Sequence, residues 1–117
     1  MIHGGAGAVR EPERFEGALR RIITRGAEVL ASDGAALDAV TLCVQLLEDD
    51  PLFNAGFGSV LNAQGIAECD AAIMDGRTLS AGAVAGVGCI KNPILLARAI
   101  MEKSDQKDMI CLLYTSP

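Results

Sequence analysis

Apolar residues recur at three- and four-residue steps in the first third of the chain. Phe15, Ala18, Leu19, Ile22, Ile23, Ala27 and Leu30 form one stripe, with Glu16, Arg20, Arg21 and Glu28 mostly opposite it and Pro12 suited to the first turn. This predicts a helix over 13–31. A second stripe, Ala36, Leu37, Val40, Cys43, Val44 and Leu47, predicts another helix, with Thr41, Gln45 and Glu48 facing away and Asp33 placed to cap it. Asp50-Pro51 ends it, because the residue before a proline is pushed out of the α region.

The pattern then changes. A loop, Phe53-Asn54-Ala55-Gly56-Phe57-Gly58, leads to an expected short strand at Ser59-Val60-Leu61 and a turn at Gly65. Cys69–Met74 and 79–90 flank Asp75-Gly76 and read as a hairpin. In the second of these strands, Ala81-Gly82-Ala83-Val84-Ala85-Gly86-Val87-Gly88 is small or apolar on both faces, as a central strand covered on both sides would be. Asn92-Pro93 opens a third helix over 94–103. With Met1-Ile2-His3 read as a strand that begins mid-element, as if an upstream piece were missing, the order is β-α-α-β-β-β-α. That order favours a layered α+β or α/β sandwich over a strictly alternating unit.

Composition sharpens this picture. The 117 residues carry 10 Lys+Arg against 15 Asp+Glu, a net charge of −5, which argues against a polybasic nucleic-acid or membrane-surface protein. With 13 Gly and 18 Ala but only three Phe, one Tyr and no Trp, the core is close-packed backbone with few large anchors and needs a partner layer. Cys43, Cys69, Cys89 and Cys111 are widely spaced with no C-x-x-C, a pattern of reduced, buried thiols rather than a zinc site. No leader-like segment and no 18-residue apolar run occurs, so the expected compartment is cytoplasmic, without membrane or nucleic-acid partners.

Few residues carry chemistry. His3-Gly4-Gly5-Ala6-Gly7 lacks the spacing and the lysine of a phosphate loop, and His3 reads as a packed, hydrogen-bonded residue. The Glu48-Asp49-Asp50 carboxylates oppose the helix dipole, so a cation there would rest on backbone carbonyls. Asp70 and Asp75 lie on opposite sides of a strand, and Asp75 belongs to the turn.

Five spaced motifs in order are more specific than any of these alone. They are His3-Gly4-Gly5-Ala6-Gly7; Leu47-Glu48-Asp49-Asp50-Pro51-Leu52-Phe53-Asn54-Ala55-Gly56-Phe57-Gly58-Ser59-Val60-Leu61-Asn62; Asp70-Ala71-Ala72-Ile73-Met74-Asp75-Gly76; Ala81-Gly82-Ala83-Val84; and Asn92-Pro93-Ile94 with Ala97-Arg98 and Met101-Glu102. Together they resemble the plant-type asparaginase, or isoaspartyl peptidase, family over residues 2–110.

The resemblance implies part of a four-layer αββα N-terminal-nucleophile hydrolase, a precursor that cuts itself into α and β subunits, with this chain similar to the α portion. The implied partners are the β subunit of the same precursor, a dimer of αβ units, and a small amide or β-aspartyl dipeptide as substrate. A threonine freed at the β-subunit N-terminus attacks the side-chain amide or isopeptide, with its own α-amine as base. The family's nucleophile context is Gly-Thr-Val-Gly-Ala, and Thr24, Thr41, Thr78 and Thr115 do not match it. The resemblance therefore leaves this chain without a nucleophile and inactive alone.

By the same resemblance, Asn54 orients that threonine or the cleavage site; without it, Asn54 reads as a positive-φ turn residue. Gly4, Gly5 and Gly7 match the glycine loop that controls cleavage geometry. The carbonyls of Leu47, Glu48, Asp50, Phe53, Ala55 and Phe57 match a structural sodium loop, with no cofactor for catalysis. Residues 111–117 depart from the family and look like translated sequencing-adapter readthrough, which sets the family portion at 1–110. Glycosylasparaginase and a non-catalytic α/β binding module are the alternatives.

Overall fold

The computed structural model describes residues 1–103 and the backbone of 108–112. It contains α1 (Pro12–Ala31), α2 (Ala36–Asp49), a short 3-10 turn (Gly56–Gly58), β1 (Cys69–Met74), β2 (Ala81–Val87), α3 (Pro93–Lys103) and β3 (Asp108–Leu112). The three strands form one sheet in the order β1-β2-β3, with β1–β2 antiparallel and β2–β3 parallel. The class is mixed α/β, and β2 is central, both as expected.

The sheet and α3 make one core. Ile73, Val84, Val87, Ile94 and Ala97 are buried together, and Leu37 and Val44 of α2 pack against them. A second core lies between α1 and α2, where Ala18, Ile22, Cys43 and Phe53 are buried. Helix α2 thus joins the two clusters, and the molecule is a slab of 44 × 43 × 19 Å. A thickness of 19 Å leaves room for one helix layer on one sheet layer.

Close approach of α3 to the sheet depends on Gly82. A Cβ there would overlap the Ala97 carbonyl oxygen and stand 2.7 Å from the Met101 nitrogen. Between Cys69 and Ala71 the register shifts, with Asp70 of β1 set against both Ala85 and Gly86, so β2 carries the bulge, and the φ of +65° at Gly86 suits glycine. The Asp70 carboxylate accepts the Gly86 N–H at 2.8 Å, so Asp70 is the side chain that satisfies the bulge.

Several sequence expectations fail for physical reasons. Met1-Ile2-His3 is not a strand among the described residues, since no neighbouring strand pairs with it. Ser59–Leu61 gives only an isolated Leu61–Ala67 bridge. The strand expected over 79–90 is shorter, because Leu79 at φ +60° belongs to the turn and Gly88 and beyond leave the ladder. Asp33 does not cap α2: it sits at φ +59°, and Ala35 takes the N-cap position without a side-chain bond. Nor is β2 covered on both sides, for on the face away from α3 its alanines lie beside exposed Asp70, Ala72 and Met74.

The polar face assigned to α2 is partly inward. Thr41 and Glu48 are buried, while Val40 is exposed, because α3 packs across the side of α2 that carries them. Arg98 of α3 donates to Thr41 Oγ1 at 3.1 Å, to Asp38 at 2.6 Å and to Glu102 at 2.7 Å. Replacing Arg98 with alanine should cost about 1–2 kcal/mol, since the guanidinium is part-buried and one of its bonds serves a buried hydroxyl. Chemical denaturation of the variant measures it. Of the thiols, Cys43 is buried, Cys69 half-buried and Cys89 exposed, and all three are free. The side chain of Cys111 lies outside the described residues.

The hairpin turn is held by Asp75, whose carboxylate accepts the Arg77 N–H at 2.9 Å, while its backbone pairs with Ser80 and Leu79. That Arg77 N–H, helped by the Arg77 charge, holds the Asp75 carboxyl below the usual aspartate range. A lowered folded-state value means that the stabilisation is present above the unfolded value and lost as pH falls through the folded one. Asp75→Asn keeps an acceptor that does not titrate. The thermal midpoint of wild type relative to Asp75→Asn should therefore fall between about pH 5 and pH 2. A pH series of melting curves checks this.

Candidate functional site

The C-terminus of α2 presents its last carbonyls with no basic residue in the final turn. The chain then folds back tightly. Asp50 terminates the helix by accepting the Leu52 N–H on its own carboxylate at 3.0 Å. Phe53 is 3% exposed and meets Phe15 edge-to-face with ring centroids 5.7 Å apart. This ring anchors the next residues to α1.

Asn54 follows directly and is exposed. Its Oδ1 accepts the Val60 N–H at 2.9 Å, closing residues 54–60 into a loop around the 3-10 turn. Among the described residues the positive-φ positions outside glycine are Asp33 and Leu79, so Asn54 is not a positive-φ turn residue. With Oδ1 engaged, its Nδ2 donors make no hydrogen bond among the described residues.

The N-terminal glycine segment reaches the same place. Ile2 through Val9 line a cleft of about 700 Å³ together with Phe15, Leu19, Leu47 and Leu52 through Ala55. Gly4 is in van der Waals contact distance of the Phe53 ring, and a Cβ there would stand 2.6 Å from it. His3 accepts the Gly5 N–H on Nδ1 at 3.0 Å, which shapes the segment, although the imidazole is exposed and not packed. Gly4, Gly5, Gly7 and Asn54 are thus brought to one cleft from opposite ends of the α1–α2 pair. A second cavity, about 760 Å³ and lined by Arg20, Arg21, Arg25, Asp49 and Asp50, shares none of these residues.

The carbonyl loop offers backbone oxygens to a hard cation. Among the described residues no group of three His, Cys, Asp or Glu side chains could hold a metal ion, so any cation site here is built from the backbone. A Cβ added to Gly56 would lie 2.5 Å from the Glu48 oxygen, and one added to Gly58 would overlap the Phe53 oxygen and lie 2.8 Å from that of Pro51. Three carbonyls therefore crowd around this turn, where the glycines leave space. Phe53 O and Ala55 O each accept one loop N–H, from Ala55 at 2.8 Å and Gly58 at 3.0 Å, leaving a lone pair on each. Carbonyl oxygens at a helix C-terminus flanked by acids are a donor set that fits a hard cation.

Glu48 and Asp49 face α3. Burial pushes the Glu48 carboxyl up, against the opposing pull of the Ile94 N–H and the Asn92 amide. Asp49 is lowered chiefly by the Asn92 side chain, and Lys91 approaches it at 3.1 Å. Asn92, expected to cap α3, instead donates to Asp49, and Glu48 accepts the Ile94 N–H in its place. Sequence spacing alone does not reveal this exchange, nor the part played by Phe53, whose signal is its contact with Gly4.

The boundary expected at residue 110 falls inside β3, and residues 113–117 lie outside the described residues. Among the described residues no helix is long and apolar enough to cross a membrane.

Comparison with known proteins agrees with the motif order. The sequence profile of the asparaginase family matches residues 1–112. A plant-type L-asparaginase of Pyrococcus furiosus is 53% identical over 109 residues, covering 90% of this chain and 35% of that protein. The isoaspartyl peptidase/L-asparaginase of Homo sapiens is 53% identical over 107 residues, covering 89% of this chain and 35% of that protein, and that of Rattus norvegicus is 50% identical over 107 residues. The chain spans about a third of the length of these curated relatives. With a profile match along nearly its whole length and half of its residues shared with such relatives, this chain belongs to the asparaginase family.

Proposed function

We propose that this chain is the nucleophile-orienting part of an amidohydrolase acting on L-asparagine and β-aspartyl dipeptides. The nucleophile is a threonine encoded downstream and freed by self-cleavage, so the partner of this chain is the β portion of the same precursor, in a dimer of αβ units. One observation carries the reading: the cleft that gathers Gly4, Gly5 and Gly7 against Asn54, whose Oδ1 is engaged by the loop and whose Nδ2 is not. The names of the relatives, L-asparaginase and isoaspartyl peptidase, supply the substrate class.

In this mechanism the threonine hydroxyl gives its proton to the threonine's own α-amine and adds to the side-chain amide carbonyl. Ammonia, or the second amino acid of the dipeptide through its α-amine, leaves with that proton. Water then gives a proton to the same amine and attacks the acyl-threonine; aspartate leaves, and the amine passes the proton to the threonine oxygen, restoring the hydroxyl. Asn54 Nδ2 donates to the hydroxyl oxygen and fixes its direction of approach, while the backbone of 4–7, bare of side chains at Gly4, Gly5 and Gly7, lets the cleavage site come close. The carbonyls of Leu47, Glu48, Asp50, Phe53, Ala55 and Phe57 would hold a sodium ion, which stiffens the loop and takes no part in bond making. The exposed face of the sheet, with Ala72, Met74 and the β2 alanines, supports a partner layer contributed by the β portion.

Expression of the full-length precursor tests this. Mass spectrometry should find two chains, the second beginning with threonine, and the cleaved protein should release ammonia from L-asparagine. An uncleaved precursor that hydrolyses neither asparagine nor a β-aspartyl dipeptide overturns the proposal.

A further inference from the structure

Glu48 is a group that the mechanism above does not use through its side chain. It is 2% exposed, its Oε1 accepts the Ile94 N–H at 2.9 Å in the first turn of α3, and its Oε2 is buried with no partner among the described residues. Capping a helix does not call for this arrangement, since a short polar side chain at the cap position does so without burying a carboxylate. Asn92 stands at that position and is committed to Asp49 instead.

The other side of the same residue touches the loop. A Cβ on Gly56 would stand 2.5 Å from Glu48 O and 2.8 Å from Glu48 Cβ, so the Gly56 backbone rests on the Glu48 peptide. Gly56 lies inside the loop that Asn54 closes onto Val60. We propose that Glu48 is a positioning residue: its carboxylate, anchored to the start of α3, fixes the peptide on which loop 54–60 is seated and so sets the place of Asn54. This rests on the role given to Asn54 above. Asn92 and Lys91, both bonded to Asp49, hold the same junction from its other side.

The test compares Glu48→Gln, Glu48→Ala and Arg98→Ala in the full-length precursor, by hydrogen exchange at the Ile94 and Val60 amides and by kcat and KM for L-asparagine. Glu48→Ala should speed exchange at both amides and lower kcat by about tenfold, with KM changed by less than about twofold. Glu48→Gln keeps a carbonyl acceptor for Ile94 and should restore both readouts to within about threefold of wild type. Arg98→Ala loosens the α2–α3 contact about two helical turns away and should leave Val60 exchange and kcat unchanged.

Val60 exchange at the wild-type rate in Glu48→Ala, or a kcat loss in Arg98→Ala as large as in Glu48→Ala, overturns the proposal. Should Glu48→Ala fail to fold, Glu48→Asp, one methylene short of Ile94, takes its place with the same expected losses. A wild-type precursor without asparaginase activity defeats the proposed function instead, and Val60 exchange still decides whether Glu48 holds the loop.

Discussion

Asn54→Ala in the full-length precursor is expected to lower kcat by roughly 100- to 1,000-fold, the usual loss for one preorganised donor at a reacting oxygen. Two effects are folded together in that variant. Alanine removes the Nδ2 donor offered to the cleft and also the Oδ1 acceptor that holds Val60 at 2.9 Å, at a stability cost of about 1 kcal/mol. Asn54→Asp separates them. Aspartate still accepts the Val60 N–H, so the loop and the melting temperature should be retained, yet it places a negatively charged acceptor where a donor is needed. Self-cleavage and asparagine hydrolysis should therefore be as weak in Asn54→Asp as in Asn54→Ala. An active Asn54→Asp would limit the residue to shaping its own loop.

Gly82→Ala should strongly destabilise the fold. The added carbon meets backbone on α3, at the Ala97 oxygen and 2.7 Å from the Met101 nitrogen, and backbone cannot rotate aside as a side chain can. Helix α3 would have to lift from β2, opening the cluster of Ile73, Val84, Val87, Ile94 and Ala97. Overpacking of this kind costs about 3 kcal/mol or more. At about 1.5 °C per kcal/mol for a protein about three times this chain's length, the melting temperature of the full-length precursor should fall by roughly 5 °C. Gly76→Ala, in the exposed turn where a Cβ meets nothing within 4 Å, is the matched control and should melt within about 2 °C of wild type.

These two positions show what the amino-acid pattern reveals and what it conceals. Helix periodicity and the Asp75-Gly76 turn are local, so α1, α2, α3 and the β1–β2 hairpin are legible from spacing alone. The alternation of alanine, glycine and valine in 81–87 likewise marks β2 as the central strand. Pairing at a distance is not local. Met1-Ile2-His3 has strand-like residues but no strand to pair with among the described residues, and Thr41 and Glu48 read as a solvated face until α3 arrives to cover them.

The site divides in the same way. Gly4, Gly5, Gly7 and Asn54 stand out as residues, but their meeting in one cleft depends on Phe53 packing against Phe15 and Gly4, which no motif encodes. Caps are harder still, since any polar residue near a helix start looks suitable. Ala35 rather than Asp33 begins α2, and Glu48, distant in sequence, serves α3 in place of Asn92.

The proposed function is a division of labour, in which the present chain would orient a threonine hydroxyl encoded elsewhere in the precursor. Ammonia release from L-asparagine, measured for this chain alone and for the self-cleaved full-length protein at equal concentration, tests that division most directly. Release is expected from the full-length protein and none above background from the chain alone. Asparagine hydrolysis by the isolated 117 residues would contradict that division.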